Sequence, residues 1–341
     1  IRAMADVNLT VAGRAAAESD VRSKLSSDTV GRLGRALAER AEDPQADLRS
    51  RLEAGLQAGR LGDPRLEERT GPHGSYLLPP MILVPEGEYP IGSGDETPAE
   101  RPTHRVRITA FELAKYPVTN AEWGCFIAAG GYEDLRWWPD GPARRWQAGE
   151  GTARGNRDDY RMWRRRMLAA PQLLEEQHEQ GRVPEPLYRD WKRRLRMGEE
   201  EFEAHLLEKW PDGPRRLPDR WLDPDFSNPS QPVVGICWFE AQAYCAWLSA
   251  QAAQMFRLPS EVEWEAAARG MEGRRVAYGQ EVDPLSCNMV DTRLRRTSPI
   301  GVFVSGATPL GVTDLTGNVF EWTCSMFGPT TESPRYAYPY D

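Results

Sequence analysis

The sequence lacks the features that membrane-spanning and secreted proteins need. It has no run of about 18 apolar residues, which is the length a membrane-spanning helix requires. Its first ten residues do not combine a basic segment with an apolar one, so we predict no signal peptide. Acidic residues (51) outnumber lysine and arginine (43), which gives a formal net charge of −8. That charge repels phosphate backbones, so neither a membrane nor a nucleic acid is an expected partner.

Cysteine and histidine are few and scattered along the chain. The five cysteines form no CxxC pair; they are Cys125, Cys237, Cys245, Cys287 and Cys324. The four histidines form no HExxH pattern; they are His73, His104, His178 and His205. An odd, unpaired set of cysteines favours a reducing compartment, so we predict a cytoplasmic protein. The spacing of the histidines predicts no metal-binding face.

Composition changes along the 341 residues predict several segments. Residues 11–65 are rich in Ala, Leu and Arg with helical spacing, interrupted at Asp43-Pro44 and before Pro64, which predicts two or three short helices. We therefore predict a helical segment or linker over 1–66 and a polar, Gly- and Pro-rich linker over 67–80. A folded domain is predicted over 81–341, with a charged helical insertion at 151–222 that contains Trp163, Trp191 and Trp210.

Two stretches have the patterns of β-strands. Met81–Val84 is an apolar run ended by proline, and residues 87–92 then alternate toward a glycine, which predicts a hairpin. Residues 104–111 alternate basic and apolar side chains, which is typical of one half-buried strand.

Two helix starts carry the same capping pattern. Thr119 and Glu122 are three residues apart, as are Ser260 and Glu263, so each pair can satisfy free amide groups at the first turn of a helix. Apolar residues follow on one face in both cases. We predict helices that begin at these two positions.

Five sequence blocks occur in an order that one known family shares. They are Met81–Gly92, Pro117–Asn120, Gln231–Leu248, Phe256–Gly270 and Leu315–Trp322. Together they resemble the formylglycine-generating-enzyme (sulfatase-modifying factor) family from Met81 to about Met326, apart from the insertion. A single block would be a modest signal, but five in the family's order are specific.

The resemblance implies an α+β fold of the C-type-lectin type. Such a domain has a short, irregular antiparallel sheet, two main helices and long loops. Large aromatic residues in the blocks are most simply explained as its core, because rings bury the most area where regular structure is sparse. These residues are Trp238, Tyr244, Trp247, Trp264 and Trp322.

Catalytic members of the family use metals that this sequence does not obviously provide for. Some hold copper on two cysteines near the C-terminus, whereas Cys324 stands alone after Trp322. Relatives that make sulfur-containing betaines bind iron through histidines of an added helical domain, and the first 80 residues contain only His73. We therefore predict no catalytic residues and no copper or iron site.

A calcium site is the one metal site that the resemblance supports. The matching ligands are the side chains of Asp314 and Glu321 and the carbonyls of Gly317 and Val319; a second site would begin at Asn288 and Met289. Oxygen donors with two carboxylates suit Ca²⁺. The alternative is that Asp314 and Glu321 cap turns and accept hydrogen bonds from loop amides.

Two functions follow from these observations. The first is a non-catalytic binding domain for an unknown protein or other macromolecule, such as a diversity-generating-retroelement variable protein or a sensor module. The second is a copper- and oxygen-dependent formylglycine-generating oxidase that acts on a sulfatase cysteine. The family's GGSW-type and R-x-x-x-GFR-type strands are not visible before Asp341, so we expect the chain to be cut short or its final part not included. The second function requires that the cysteines lie in that part.

Overall fold

The computed structural model describes residues 1–93, 100–139 and 141–325. The chain divides into two compact units. The first combines the described residues of Ile1–Trp137 and Leu217–Asp341, and the second is Trp138–Arg216, which overlaps the insertion predicted at 151–222. None of the helices in the described ranges is long and apolar enough to cross a membrane.

Five helices begin the first unit. Their bounds are α1 Arg2–Val7, α2 Leu9–Ala17, α3 Ser19–Arg22, α4 Ser27–Ala41 and α5 Leu48–Leu61. Side chains of Asn8, Ser26 and Asp47 accept hydrogen bonds from backbone amides and so cap α2, α4 and α5. Leu33 and Leu37 of α4 pack with alanines of α2 and α5 in a small apolar core. Residues 11–65, for which two or three helices were predicted, contain α2 to α5, and the additional helix is α3, whose four residues are too few to show a periodic pattern.

Six short strands follow, and all their pairings are antiparallel. Their bounds are β1 Glu67–Gly71, β2 Gly74–Leu78, β3 Met81–Val84, β4 Gly87–Ile91, β5 His104–Ile108 and β6 Phe111–Ala114. The pairs are β1 with β2, β3 with β6 and β4 with β5. The hairpin predicted over 81–92 is therefore wrong: β3 and β4 each pair with a later strand. The single strand predicted over 104–111 is interrupted between β5 and β6.

The segment 67–80, predicted as a linker from its polar composition, contains the β1–β2 hairpin. Its outer residues are exposed, whereas Tyr76 and Leu78 are buried. A two-stranded hairpin needs few apolar residues when one face meets water and the other packs on its neighbours.

Helix α6, Asn120–Ala128, is followed by a short 3-10 helix, Leu135–Trp137, at the end of the part of the first unit that precedes the second unit. The second unit contains α7 Gly141–Gln147, α8 Arg154–Ala169, α9 Gln172–Glu179, α10 Glu185–Arg196 and α11 Glu199–Lys209. Met167, Leu174 and Trp191 form its buried cluster. Arg194 is fully buried in it, and its guanidinium lies over the rings of Tyr160 (4.8 Å) and Trp191 (5.1 Å). This charge-rich segment therefore has a small core of its own.

The chain then returns to the first unit with α12, Trp238–Ala252, and α13, Glu261–Arg269. Both predicted capping boxes are present, at Thr119 before α6 and at Ser260 before α13. Trp123 of α6 stacks on Tyr244 of α12, with ring centroids 5.0 Å apart, and Trp247 is fully buried beside them. This aromatic core, together with the short antiparallel strands, confirms the predicted α+β class.

Helix α5 packs directly on the loops of the later part of the first unit. Arg51 is buried and donates a hydrogen bond of 2.7 Å to the carbonyl of Val302. The Asn228 amide donates to the carbonyl of Leu56 at 3.0 Å. At Gly59 a Cβ atom would lie 2.7 Å from the Ser230 nitrogen, so only glycine permits this approach. The N-terminal helices therefore share an interior with residues far along the chain.

A buried ion pair strengthens the same junction. The Asp63 carboxylate accepts hydrogen bonds from Nε (2.8 Å) and Nη2 (2.6 Å) of Arg65 and from the Ser230 hydroxyl (2.5 Å). Arg65 also donates to the carbonyl of Ile300 at 2.7 Å. Burial alone would raise the pKa of Asp63, but the Arg65 guanidinium lowers it below its usual value.

Candidate functional site

The predicted site lies in the turn that contains Gly317 and Asn318. Both residues have left-handed backbones, with φ of 81° and 62°. A Cβ atom at Gly317 would lie 2.7 Å from the carbonyl oxygen of Asn288, so the position requires glycine. Asn318 accepts hydrogen bonds at Oδ1 from the Ser298 amide (2.9 Å) and from the Asn288 side chain (3.2 Å). The Gly-Asn pair therefore joins two loops, which explains its place in the sequence block.

Two carboxylates lie beside this turn. Asp314 is buried, and its backbone is also left-handed, with φ of 60°. Its carboxylate accepts a hydrogen bond of 3.3 Å from the side-chain amide of Asn318. Glu321 accepts a hydrogen bond of 3.1 Å from the indole N–H of Trp264. Burial raises the pKa of Asp314 to about 6. Burial also raises the pKa of Glu321 to about 7, and the neighbouring charge of Asp314 adds to this shift. Neither carboxylate has an ion-pair partner in the part of the chain that the structure describes.

The carbonyls predicted as calcium ligands come from the same turn. The Gly317 carbonyl accepts a hydrogen bond of 2.8 Å from the Val319 amide, which leaves its second lone pair for another partner. Asn288 and Met289 lie on the neighbouring loop. The Asn288 amide donates to the carbonyl of Arg296 at 2.9 Å, and the Met289 carbonyl accepts from the Thr292 hydroxyl at 2.7 Å.

Tryptophans fix the position of the segment that follows the turn. The indole N–H of Trp238 donates to the carbonyl of Thr323 at 2.9 Å, and that of Trp322 donates to the carbonyl of Ile236 at 3.1 Å. Tyr244 and Trp247 are buried as predicted, but Trp322 remains 47% exposed. The prediction that Trp322 is a core residue is therefore wrong. Its ring lies at the surface, where its N–H donates to the carbonyl of Ile236.

The cysteines are not arranged as a thiolate site in the described residues. Burial raises the pKa of both Cys237 and Cys245 to about 12, and it also raises the pKa of Cys125 and Cys287. All four thiols are protonated at neutral pH as a result. Among the residues at 1–93, 100–139 and 141–325, no three His, Cys, Asp or Glu side chains come together as a metal-binding group.

Sequence reasoning missed a cavity of about 640 Å³ near the Gly-Asn turn. Its lining residues are Phe226, Asn288, Met289, Val290, Arg293, Arg295, Arg296, Thr297 and Asn318. The signal for it was the Arg293–Arg296 run, with three arginines in four residues of an acidic chain.

Comparisons with known proteins agree with the sequence blocks. A hercynine oxygenase of Mycolicibacterium thermoresistibile is 32% identical over 236 residues, which cover 67% of this chain and 39% of that protein. A formylglycine-generating enzyme of Mycobacterium tuberculosis is 29% identical over 267 residues, which cover 74% of this chain and 76% of that enzyme. The chain spans less than half the length of the hercynine oxygenases that it matches.

A third relative has lost its activity, according to its name. Inactive C-alpha-formylglycine-generating enzyme 2 of Bos taurus is 33% identical over 114 residues, which cover 30% of this chain and 36% of that protein. The sulfatase-modifying factor enzyme 1-like domain matches residues 68–338. This match extends over most of the chain, so the protein belongs to the sulfatase-modifying factor enzyme 1-like domain family.

Proposed function

We propose that the chain is the framework of an oxygen-dependent oxidase that acts on a cysteine side chain, as a formylglycine-generating enzyme does. The observation that carries this proposal is the match to the Mycobacterium tuberculosis enzyme, because it covers about three quarters of both chains. The hercynine oxygenases support the same general chemistry, since their name also describes an oxygen-using enzyme. The framework is the α+β fold with its Gly-Asn turn, which lies within the residues that match the family.

The described cysteines do not fit the copper site that the resemblance implies. A copper ion on two thiolates needs two neighbouring sulfurs, whereas Cys237 and Cys245 stand eight residues, about 12 Å, apart along α12. In this proposal the described residues hold and orient the substrate, and the metal ligands come from outside the described ranges.

The oxidase proposal is tested with a peptide that contains Cys-x-Pro-x-Arg. The full gene product is loaded with copper, or separately with iron, and oxygen consumption and aldehyde formation are measured. We expect turnover with one of the two metals and none with a Ser-x-Pro-x-Arg control peptide, because only cysteine provides the thiol. Absence of aldehyde with either metal would contradict the proposal.

A second candidate function is a non-catalytic binding domain. The Bos taurus relative that is named inactive favours it. The partner would be a protein or another macromolecule, and a retroelement variable protein or a sensor module are two such settings. A folded full-length protein that holds neither copper nor iron and produces no aldehyde would favour this function over the oxidase.

We also propose that a calcium ion binds between the carboxylates of Asp314 and Glu321 and the carbonyls of Gly317 and Val319. Asp314 is buried and Glu321 is partly buried, and burial and the charge of Asp314 raise the pKa of Glu321, so Ca²⁺ would stabilise both groups as carboxylates. Asn288 and Met289 line the cavity that also contains three arginines, and positive charge opposes a cation there. The second calcium site predicted at those residues stays a prediction, and this proposal concerns the first site only.

Calcium is expected to raise the melting temperature of the protein. A ligand that binds only the native state stabilises it by about 2.7 kcal/mol when its concentration is 100 times Kd. Melting is measured in calcium and in a chelator for three proteins: the parent, Glu321→Gln and Glu281→Gln. Glu321→Gln removes one ligand charge and should lose most of the response, whereas Glu281 is exposed and its variant should keep it. An identical midpoint of the parent in calcium and in chelator would overturn the calcium proposal.

A further inference from the structure

The cavity beside the Gly-Asn turn has the dimensions of a binding site for a small molecule. Its volume of about 640 Å³ lies within the range of typical ligand pockets. Three arginines from one short segment, Arg293, Arg295 and Arg296, contribute to its lining.

Two of these arginines have no negative partner among the residues that the structure describes. Arg296 lies 3.8 Å from the Asp225 carboxylate, a distance that gives only a weak ion pair at an exposed position. The guanidinium groups of Arg293 and Arg295 are exposed and form neither ion pairs nor hydrogen bonds with any residue the structure describes. Guanidinium presents its donors in a planar fork that matches the oxygens of carboxylate and phosphate groups.

The backbone holds both arginines in an unfavourable conformation. Arg293 and Arg295 have φ angles of 54° and 55°, in the left-handed region that disfavours residues with a Cβ atom. Leu294, between them, packs against the buried cluster of Leu52, Val302 and Phe303. The packed leucine thus anchors the segment and keeps the two arginines at the cavity. Strained residues of this kind occur preferentially at binding and active sites.

Apolar side chains complete the lining. Phe226, Met289 and Val290 lie with the arginines around the cavity, and Val290 is 85% exposed. Apolar side chains next to guanidinium groups match a ligand that joins a negative group to an apolar one.

We propose that this cavity binds a small organic anion. A carboxylate or phosphate group would accept hydrogen bonds from Arg293 and Arg295, with Arg296 adding positive charge. The apolar part of the ligand would lie against Phe226, Met289 and Val290. The site is independent of the oxidase proposal, because its occupation requires no redox metal and is measured by binding alone.

The proposal is tested by calorimetric titration of the full protein with five probes. Benzoate and phenyl phosphate carry both a negative and an apolar group and distinguish the two kinds of anion. Acetate and inorganic phosphate carry only the charge, and benzyl alcohol carries only the ring. We expect at least one aromatic anion to bind about tenfold more tightly than its small counterpart, and benzyl alcohol to bind no better than the small anions. Inorganic phosphate that binds as tightly as phenyl phosphate, with benzoate no tighter than acetate, would overturn the organic part of the proposal.

Variants separate the loss of the site from a loss of folding. Arg295→Gly removes one guanidinium and at the same time relieves the left-handed strain, so its melting temperature should equal or exceed that of the parent. Its affinity for the aromatic anion should fall about tenfold, since one bidentate contact is worth about that factor. Arg35→Gln removes an equal charge from an exposed position of α4 and should leave the affinity unchanged. Equal affinity in Arg295→Gly and the parent would disprove the assignment.

Discussion

Replacing Arg65 with alanine is expected to lower the free energy of unfolding by about 3–5 kcal/mol, because it leaves a buried carboxylate without its cation. In the native protein the Asp63 side chain has no exposed surface and the Arg65 side chain is 9% exposed. The variant also loses the hydrogen bond from Arg65 to the carbonyl of Ile300. Urea unfolding at neutral pH measures the change.

The matched control is Arg69→Ala, in the adjacent hairpin. Arg69 pairs with Glu67 at 2.7 Å, but both side chains are largely exposed, so this change should cost far less than Arg65→Ala. The double variant Asp63→Ala/Arg65→Ala should be less destabilised than the sum of its single changes, because no buried charge remains unpaired. A loss in Arg65→Ala no larger than that in Arg69→Ala would show that the buried pair contributes little.

Replacing Glu122 with glutamine is expected to make the protein less sensitive to alkaline pH. Glu122 is 2% exposed, and burial raises its pKa to about 7, although the hydrogen bonds from the amide and hydroxyl of Thr119 oppose this shift. An unfolded glutamate has a pKa near 4.3. The folded state therefore binds the proton more tightly, and this contribution to stability is complete below about pH 4 and lost as pH rises through about 7.

The size of this effect follows from the pKa difference. Between pH 5 and pH 8 the parent should lose about 2–3 kcal/mol relative to Glu122→Gln, which has no charge to bury. Glutamine keeps a side-chain oxygen that can accept the hydrogen bond of the Thr119 amide, so the capping box remains. The measurement is urea unfolding of both proteins at a series of pH values. Parallel stability curves for the two proteins would contradict the prediction.

The second capping box provides a control of opposite sign. Glu263 has the same role at Ser260, but the Arg257 guanidinium donates to both of its carboxylate oxygens and lowers its pKa. Its contribution to stability is therefore present above the unfolded pKa and lost as pH falls through the lower folded pKa. Glu263→Gln should be less stable than the parent at pH 8, and the difference should shrink in acid.

Local patterns predicted the helix starts well and the strand pairings poorly. A Thr-x-x-Glu or Ser-x-x-Glu pattern contains all the partners of a capping box, so residues 119–122 and 260–263 were sufficient to predict two helices. Strand β3 instead pairs with β6, about 30 residues later, and no local feature of Met81–Val84 identifies that partner. The hairpin prediction was wrong for this reason.

The candidate sites show the same division between local and distant information. The carboxylates at Asp314 and Glu321 could be selected from the sequence block, but the burial of Asp314 and the contact of Glu321 with Trp264 of α13 follow from packing. The arginine cavity needs Phe226, Asn318 and Arg293 to meet from three separate loops. The spacing of these residues in the sequence does not predict that they lie together, although the run of arginines can be seen in the sequence.

The junction between the N-terminal helices and the loops at 228–230 and 299–303 has an evolutionary consequence. Arg51 and Arg65 bind the carbonyls of Val302 and Ile300, and Gly59 leaves room for Ser230. Recombination that exchanged residues 1–66 with those of a distant homologue would separate these partners. We therefore expect Arg51, Gly59 and Arg65 to be kept together wherever this junction is kept, whatever side chains stand at 300 and 302, because the partners there are backbone carbonyls.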